Sequence, residues 1–250
     1  MTKAAWLRGL FFTGTDTGVG KTFVTACVAG LLRGRGHPCS VSKPVATGAV
    51  LRAGVGWVSE DTDRLAQAAG EPDGQRVTPW LFPDPVAPPL AARRLGTALR
   101  LADLVAAVRR LGRPGVPVLV EGVGGLLCPL TDRKTVADLA AALALPVVVV
   151  ARNALGVLNH TLLTLEVAHG RGLSVAGVVL NATAPPTGLA DETHEAELRR
   201  LGVPLLAVVP YRREPEGDPP AGLAAVDWWE LAQRGGDPTT GSLLGRTRST

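Results

Sequence analysis

The segment Gly14-Thr15-Asp16-Thr17-Gly18-Val19-Gly20-Lys21-Thr22 has residue types and spacing suited to handling phosphates. It follows an apolar run and precedes a stretch of helical periodicity. Backbone N–H groups at such a helix start can cradle phosphates, the Lys21 ammonium can reach the outer phosphates, and the Thr22 hydroxyl can hold Mg²⁺. One feature departs from the usual loop. The first glycine would normally fall at position 15, which is Thr15, while Gly14 comes one residue early, so the match is G-x₅-G-K-T.

Further along lie other residues that could act with this loop. Lys43 opens Lys43-Pro44-Val45-Ala46-Thr47-Gly48 at the end of an apolar run. A lysine at the carboxyl end of a strand stands where open α/β sheets build their ligand crevice, and it can stabilise negative charge in flight. The plain alternative is a surface lysine preceding a proline. Glu121 closes Val116–Glu121 and begins Glu121-Gly122-Val123-Gly124-Gly125. An acid after an apolar run is costly to bury without a cation, so Mg²⁺ coordination opposite Thr22 competes with a buried structural role. Ser59-Glu60-Asp61-Thr62-Asp63-Arg64-Leu65 reads as a helix start, where acids complement the helix dipole. Asn181 ends another apolar run; its amide suits the donor–acceptor edge of a purine, or equally a turn before Pro185-Pro186.

The elements that must position these residues follow from hydrophobic periodicity. Leu7–Thr13, Pro38–Lys43, Val116–Glu121, Pro146–Ala151, Val175–Asn181 and Pro204–Val209 read as strands apolar at nearly every position, which implies a parallel sheet covered on both faces. Between them, Lys21–Arg35, Leu101–Leu111, Val136–Leu143, Val157–Gly170 and Asp191–Leu201 have helical spacing. The alternation predicts a doubly wound, mostly parallel α/β sheet. The proline-crowded stretch Thr78–Pro89 is expected to be a loop, with a substrate-side position as one option. Residues 1–234 are expected to form one domain, and the Gly/Ser/Thr/Arg-rich tail 235–250 to be disordered. Trp228 and Trp229 read as core or interface aromatics.

Composition narrows the classes. The chain has 250 residues, 46% of them hydrophobic, enough for one large core. Cys27, Cys39 and Cys128 are far apart and odd in number, which is no disulfide framework and points to the cytoplasm. No signal-peptide pattern and no membrane-length apolar run are present, so a membrane location is not expected. The formal charge of +4 is mostly scattered arginine without a basic, aromatic-interleaved stripe, so nucleic acid is not an expected partner.

Taken together, these motifs resemble the dethiobiotin synthetase family, whose members carry TGTDTxVGKT, KPVxSG or KPVxTG, and VEGAGG in this order. The resemblance runs from about Leu10 to about Glu216. It implies a P-loop NTPase fold that uses ATP and Mg²⁺, with Lys21, Lys43 and Thr17 as catalytic residues. Phosphate contacts would come from Gly18, Val19, Gly20, Lys21 and Thr22, with Phe23 beside them, and from Gly122, Val123 and Gly124. Some relatives carry glutamate at the place of Gly18, so any role of that side chain is absent here. Thr22, Asp61 and Glu121 are the implied metal ligands, Asp61 being favoured over Asp63 by its distance from Leu65. Asn181, Pro210 and Tyr211 would line the adenine, and Glu216 the ribose.

Leu155-Gly156-Val157-Leu158-Asn159-His160 is similar to the family's LGxxNH segment, a helix start that receives the substrate carboxylate in the partner subunit. This implies a homodimer with Thr47, Leu155, Gly156 and Asn159 as substrate contacts. His160 by itself reads as a packing or capping residue. The implied reaction joins 7,8-diaminononanoate and CO₂ at the expense of ATP, giving dethiobiotin. Two other readings stand beside this one. A cobyrinic acid diamide synthase-like enzyme would need a glutaminase domain with a nucleophilic cysteine, for which the chain has no room. A non-catalytic ATPase switch of the partition type carries a second lysine where Asp16 stands, and has no use for Lys43 and Glu121.

Overall fold

The computed structural model describes residues 7–186, 188–213 and 217–234. Its first strand, β1 (Gly9–Gly14), is buried throughout and runs through the phosphate loop into α1 (Lys21–Gly34). After β2 (Ser40–Ser42) and β3 (Val45–Thr47), a small antiparallel hairpin forms from β4 (Val50–Arg52) and β5 (Gly56–Val58). Then come α2 (Glu60–Ala69), the short α3 (Gly74–Val77), β6 (Trp80–Phe82), α4 (Pro88–Arg94) and α5 (Leu101–Arg109). The second half alternates: β7 (Val118–Gly125), α6 (Val136–Leu143), β8 (Val147–Arg152), α7 (Val157–Gly170), β9 (Val175–Asn181), α8 (Leu189–Arg200) and β10 (Leu205–Val209). Two short helices, α9 (Ala221–Ala224) and α10 (Trp228–Gln233), close the described chain.

Six strands pair in parallel in the order β10-β9-β8-β1-β7-β2. From β1 the chain moves to one edge with β2, returns to insert β7, and then builds outward on the other side. The carboxyl ends of β1, β7 and β2 therefore open onto one crevice, the usual ligand position in such sheets.

Successive residues of β1 point to opposite faces. Phe11 packs with α4 to α8, while Leu10 and Phe12 pack with α1, α2, α9 and α10. The second layer is anchored by Trp228, fully buried with its ring 6.3 Å from that of Phe12 and its indole N–H donating to the Leu223 carbonyl at 2.8 Å. Removing such a side chain costs about 3–5 kcal/mol.

Most predicted elements form within a residue or two of their expected bounds. Thr78–Pro89 is a correction: it is not all loop. Its proline-free centre, Trp80–Phe82, pairs in parallel with β3, and Pro88 and Pro89 occupy the first turn of α4, where a missing N–H costs nothing. Strand β7 also runs past Glu121 to Gly125, because Gly125 lies in register with Gly14 at the end of β1. The expected tail over residues 235–250 lies outside the described residues.

Candidate active site

The phosphate loop is shaped by two glycines with different duties. Gly20 caps α1 with φ 88°, in the left-handed region, and a Cβ there would meet the Asn181 amide nitrogen at 2.1 Å. Gly14 accounts for the early glycine of the sequence motif. A Cβ at this position would lie 2.7 Å from the Asp16 carbonyl oxygen and 3.0 Å from Lys21 Nζ, so any side chain would push into the loop it supports. The Asp16 carboxylate accepts the Thr17 N–H at 2.6 Å and tightens the turn. Lys21, at the first position of α1, is buried and donates to the Asp16 carbonyl at 3.1 Å, which curls its ammonium back over the loop.

Beside this loop stands a cluster of charge drawn from three elements. Lys43, just beyond β2, is 6% exposed; its ammonium contacts Asp61 in the first turn of α2 and lies 2.8 Å from Glu121 Oε1 in β7. Thr22 Oγ1 donates to the same Glu121 oxygen at 2.8 Å. Glu121 has no exposure at all, and its other oxygen, Oε2, has no hydrogen-bond partner. An unpaired buried carboxylate oxygen costs several kcal/mol unless a cation or donor meets it.

The charges hold one another ionised. Burial by itself would lower the Lys43 pKa, but the Glu121 and Asp61 carboxylates outweigh it and keep the ammonium above the ordinary lysine value. Partial burial would likewise raise Asp61, yet Lys43 holds its carboxyl below the usual range. For Lys21 burial prevails over the pull of Glu121, with Lys43 adding repulsion, and its pKa is lowered. The crevice thus has two cations of different temper: one fixed by carboxylates, one desolvated and short of an anion.

Four residues expected from the sequence, Thr22, Lys43, Asp61 and Glu121, therefore meet beside Lys21. Asp63 does not join them; it pairs at 3.4 Å with Arg52 on the exposed hairpin. Asn181, 4% exposed, reaches across from the end of β9 and donates to the Val19 carbonyl at 2.9 Å, so it braces the phosphate loop. Gly122 packs toward the interior, where a Cβ would meet Val136 and the Phe11 ring, whereas Gly124 faces Thr17 and Cys128. Phe23 is half-buried on α1, and Pro210 and Tyr211 are exposed beyond β10. Glu216 lies outside the described residues. Leu155 and Gly156 lead into α7 and Asn159 lies in its first turn; Thr47 ends β3.

One part of the site was not foreseen. A cleft of about 380 Å³ opens beside the loop between Thr15, Thr17 and Gly124 on one wall and Leu127, Cys128 and Leu163 on another. Burial raises the Cys128 thiol above its usual value against the pull of Lys21, so it stays neutral. The sequence offers only a weak signal for this wall, two leucines and a cysteine after a double glycine.

A family model described as an AAA domain matches residues 8–217. Among curated relatives, ATP-dependent dethiobiotin synthetase BioD of Anaeromyxobacter dehalogenans strain 2CP-1 is 45% identical, the match covering 96% of this chain and 98% of the relative. The enzyme of the same name from strain 2CP-C is 47% identical over 78% of this chain and 86% of its own. That of Aromatoleum aromaticum is 42% identical over 87% and 96%. The chain belongs to the ATP-dependent dethiobiotin synthetase family. Solved structures agree on the fold alone. The septum site-determining protein MinD from Pyrococcus horikoshii OT3, complexed with Mg-ADP, superposes with a TM-score of 0.54 at 20% identity, over 90% of this chain and 94% of its own. A ParA family ATPase from Chlorobium tepidum gives 0.54 at 12% identity, over 90% and 99%. This family member thus shares its scaffold with these proteins, and a shared fold by itself does not fix a function.

Proposed function

We propose that the protein makes dethiobiotin from 7,8-diaminononanoate, CO₂ and ATP, releasing ADP and phosphate; the names of its relatives support ATP-dependent dethiobiotin synthesis, and the substrates and products follow from the family resemblance. The observation that carries this reading is the buried Lys43, held by Asp61 and Glu121, with β7 between its strand and the strand that leads into the phosphate loop. A carbamate formed on one amine of the substrate would attack the γ-phosphate. The resulting carbamic–phosphoric anhydride would then be closed by the second amine, expelling phosphate and forming the cyclic urea. Such chemistry asks for positioning and charge neutralisation. Lys21 would lie along the outer phosphates, Lys43 beside the carbamate and the phosphoryl group in transit, and Thr17 at the mouth of the cleft.

The donor set suits Mg²⁺, a hard cation that takes one or two carboxylates and fills its shell with water and phosphate oxygens. Among the described residues no group of three His, Cys, Asp or Glu side chains could hold a metal. Two carboxylates and a hydroxyl remain, Asp61, Glu121 and Thr22, and the unpartnered Glu121 Oε2 is an acceptor awaiting such a cation. When bound there, Mg²⁺ would neutralise charge on the β- and γ-phosphates. Asn181, Pro210, Tyr211 and Glu216 are assigned to the base and ribose end by family resemblance, with Phe23 at the start of α1.

The cleft lined by Leu126, Leu127, Leu163 and Val167 has an apolar surface suited to an aliphatic chain. The substrate carboxylate is assigned to the α7 start of a second copy, through Leu155, Gly156 and Asn159, with Thr47 near the amines. The exposed Leu155, just before that helix, and Leu162 and Leu163 on it support a homodimer. No helix among the described residues is long and apolar enough to cross a membrane. The free thiols of Cys27, Cys39 and Cys128 favour the cytoplasm as the site of action.

The test is direct. Purified protein incubated with diaminononanoate, bicarbonate and MgATP should yield a product heavier than the diamine by one carbonyl less two hydrogens, with one ADP per product. ATP hydrolysis that ignores the diamine would instead favour a switch.

A further inference from the structure

Between the phosphate loop and the start of α7 lies a chain of hydrogen bonds that the sequence motifs do not include. The Asn181 amide holds the Val19 carbonyl of the loop at 2.9 Å. Its own backbone carbonyl accepts the N–H of Asn153 at 2.8 Å, just where the chain leaves β8. Asn153 in turn donates its side-chain NH₂ to the Asp191 carbonyl at 3.0 Å and faces His194 Nδ1 through Oδ1 at 2.8 Å. His194, on α8, is 5% exposed.

The proton positions follow from the partners. A backbone carbonyl only accepts, so the Asn153 nitrogen must face Asp191, its oxygen must face the imidazole, and Nδ1 must carry the hydrogen. Every polar group of Asn153 except its carbonyl oxygen is thereby tied, to β9 on one side and to α8 on the other. Only Ala154, Leu155 and Gly156 separate it from α7, and Gly156, at φ 95°, caps that helix without any side-chain hydrogen bond. Nothing else among the side-chain hydrogen bonds of the described residues anchors this turn.

We propose that Asn153 and His194 are positioning residues for the carboxylate end of the substrate. They fix the first turn of α7 relative to the nucleotide loop, with Asn181 as the shared post. The inference rests on the reading of the α7 start as a carboxylate site. Because that site would serve the neighbouring subunit, the clamp sets the geometry of one active site from the chain that carries the other.

The test compares the full-length enzyme with Asn153→Ala, His194→Ala and His194→Gln, using diaminononanoate and 2,3-diaminononane, which has a methyl in place of the carboxylate. Asn153→Ala and His194→Ala should raise KM for diaminononanoate roughly tenfold, the equivalent of one or two lost hydrogen bonds. They should leave kcat and the KM for MgATP within about twofold. His194→Gln, whose amide can still donate to Asn153, should recover most of the loss. For 2,3-diaminononane, variants and wild type should be alike. An unchanged KM in all three variants would overturn the proposal, as would equal losses with both diamines or a fall confined to kcat. If wild type itself fails to distinguish the two diamines, the carboxylate reading of α7 is wrong and the proposal falls with it. Should Asn153→Ala fail to fold, the two His194 variants alone decide.

Discussion

The crevice around Lys43 and the surface around the start of α7 are built on opposite principles. In the crevice, Lys21, Lys43 and Glu121 are all less than 10% exposed, and Lys43 and Glu121 find their partners within the same chain. At the α7 start, Leu155 is 88% exposed and Leu163, two turns on, is 57% exposed. Charge has been taken into the interior while apolar side chains have been left in water. Both arrangements cost free energy in the isolated chain. The first is offset internally by opposite charge; the second would be offset by the proposed second copy. Under the proposed homodimer, the phosphate chemistry would be complete in one subunit and the substrate-length part of the site would need the second.

The largest effect that would break this contrast concerns Lys21. Lys21→Ala should abolish nucleotide-dependent turnover while the chain stays folded, since the ammonium curls over the loop and not into a core; full activity by ADP release would remove the phosphate-loop assignment. Lys43→Ala should lower kcat at least about a hundredfold while MgATP binding, measured by calorimetry, stays within a few-fold. Equal loss of nucleotide affinity with kcat intact would make Lys43 a ground-state ligand only.

The incomplete side of the contrast is sharpened by complementation. A Lys43→Ala chain mixed with a chain carrying Asn159→Glu and His160→Glu should regain activity, because one intact crevice then faces one intact helix start. A mixture as inactive as its parents, despite subunit exchange demonstrated by mass spectrometry, would place the whole site in one chain.

A subtler effect lies in pH. Asp61 is held below its ordinary value, so its ionised form stabilises the fold above the unfolded carboxyl value near about 4, and this is lost as pH falls through the lower folded value. Lys43 is raised, so its contribution is present below about 10 and is lost as pH climbs through its folded value. Urea titrations of wild type and Asp61→Asn should therefore differ by a constant amount from about pH 5 to pH 9, and the gap should change below about pH 4. A gap that drifts through neutrality would mean the pair is not formed. The smallest effect is at a site outside both regions: Thr135 and Asp138 form a reciprocal cap on α6, and Asp138→Ala should cost about 1 kcal/mol by chemical denaturation with kcat unchanged.

Much of this protein was legible in its sequence because its signals are local. Continuous apolar runs, helical spacing and glycine stops are written residue by residue, so β9, α6 and α7 form over the bounds their patterns predict. The phosphate loop is equally local, since one turn and one helix start create it. Where a segment takes its form from a distant partner, the reading failed. Trp80–Phe82 is a strand only because β3 lies beside it, and the prolines around it conceal that. The choice of Asp61 over Asp63 follows family resemblance in the sequence, but the reason is tertiary: the first turn of α2 points one acid at Lys43 and the other at Arg52. The clamp of Asn153 and His194 joins residues 41 positions apart and leaves no periodic trace. Sequence alone determined the doubly wound sheet and the residue types of the phosphate site, because periodicity and motif spacing act within a few residues. Only the tertiary structure decided which carboxylate meets which cation and what holds the α7 start, because those pairings depend on distances between elements far apart in the chain.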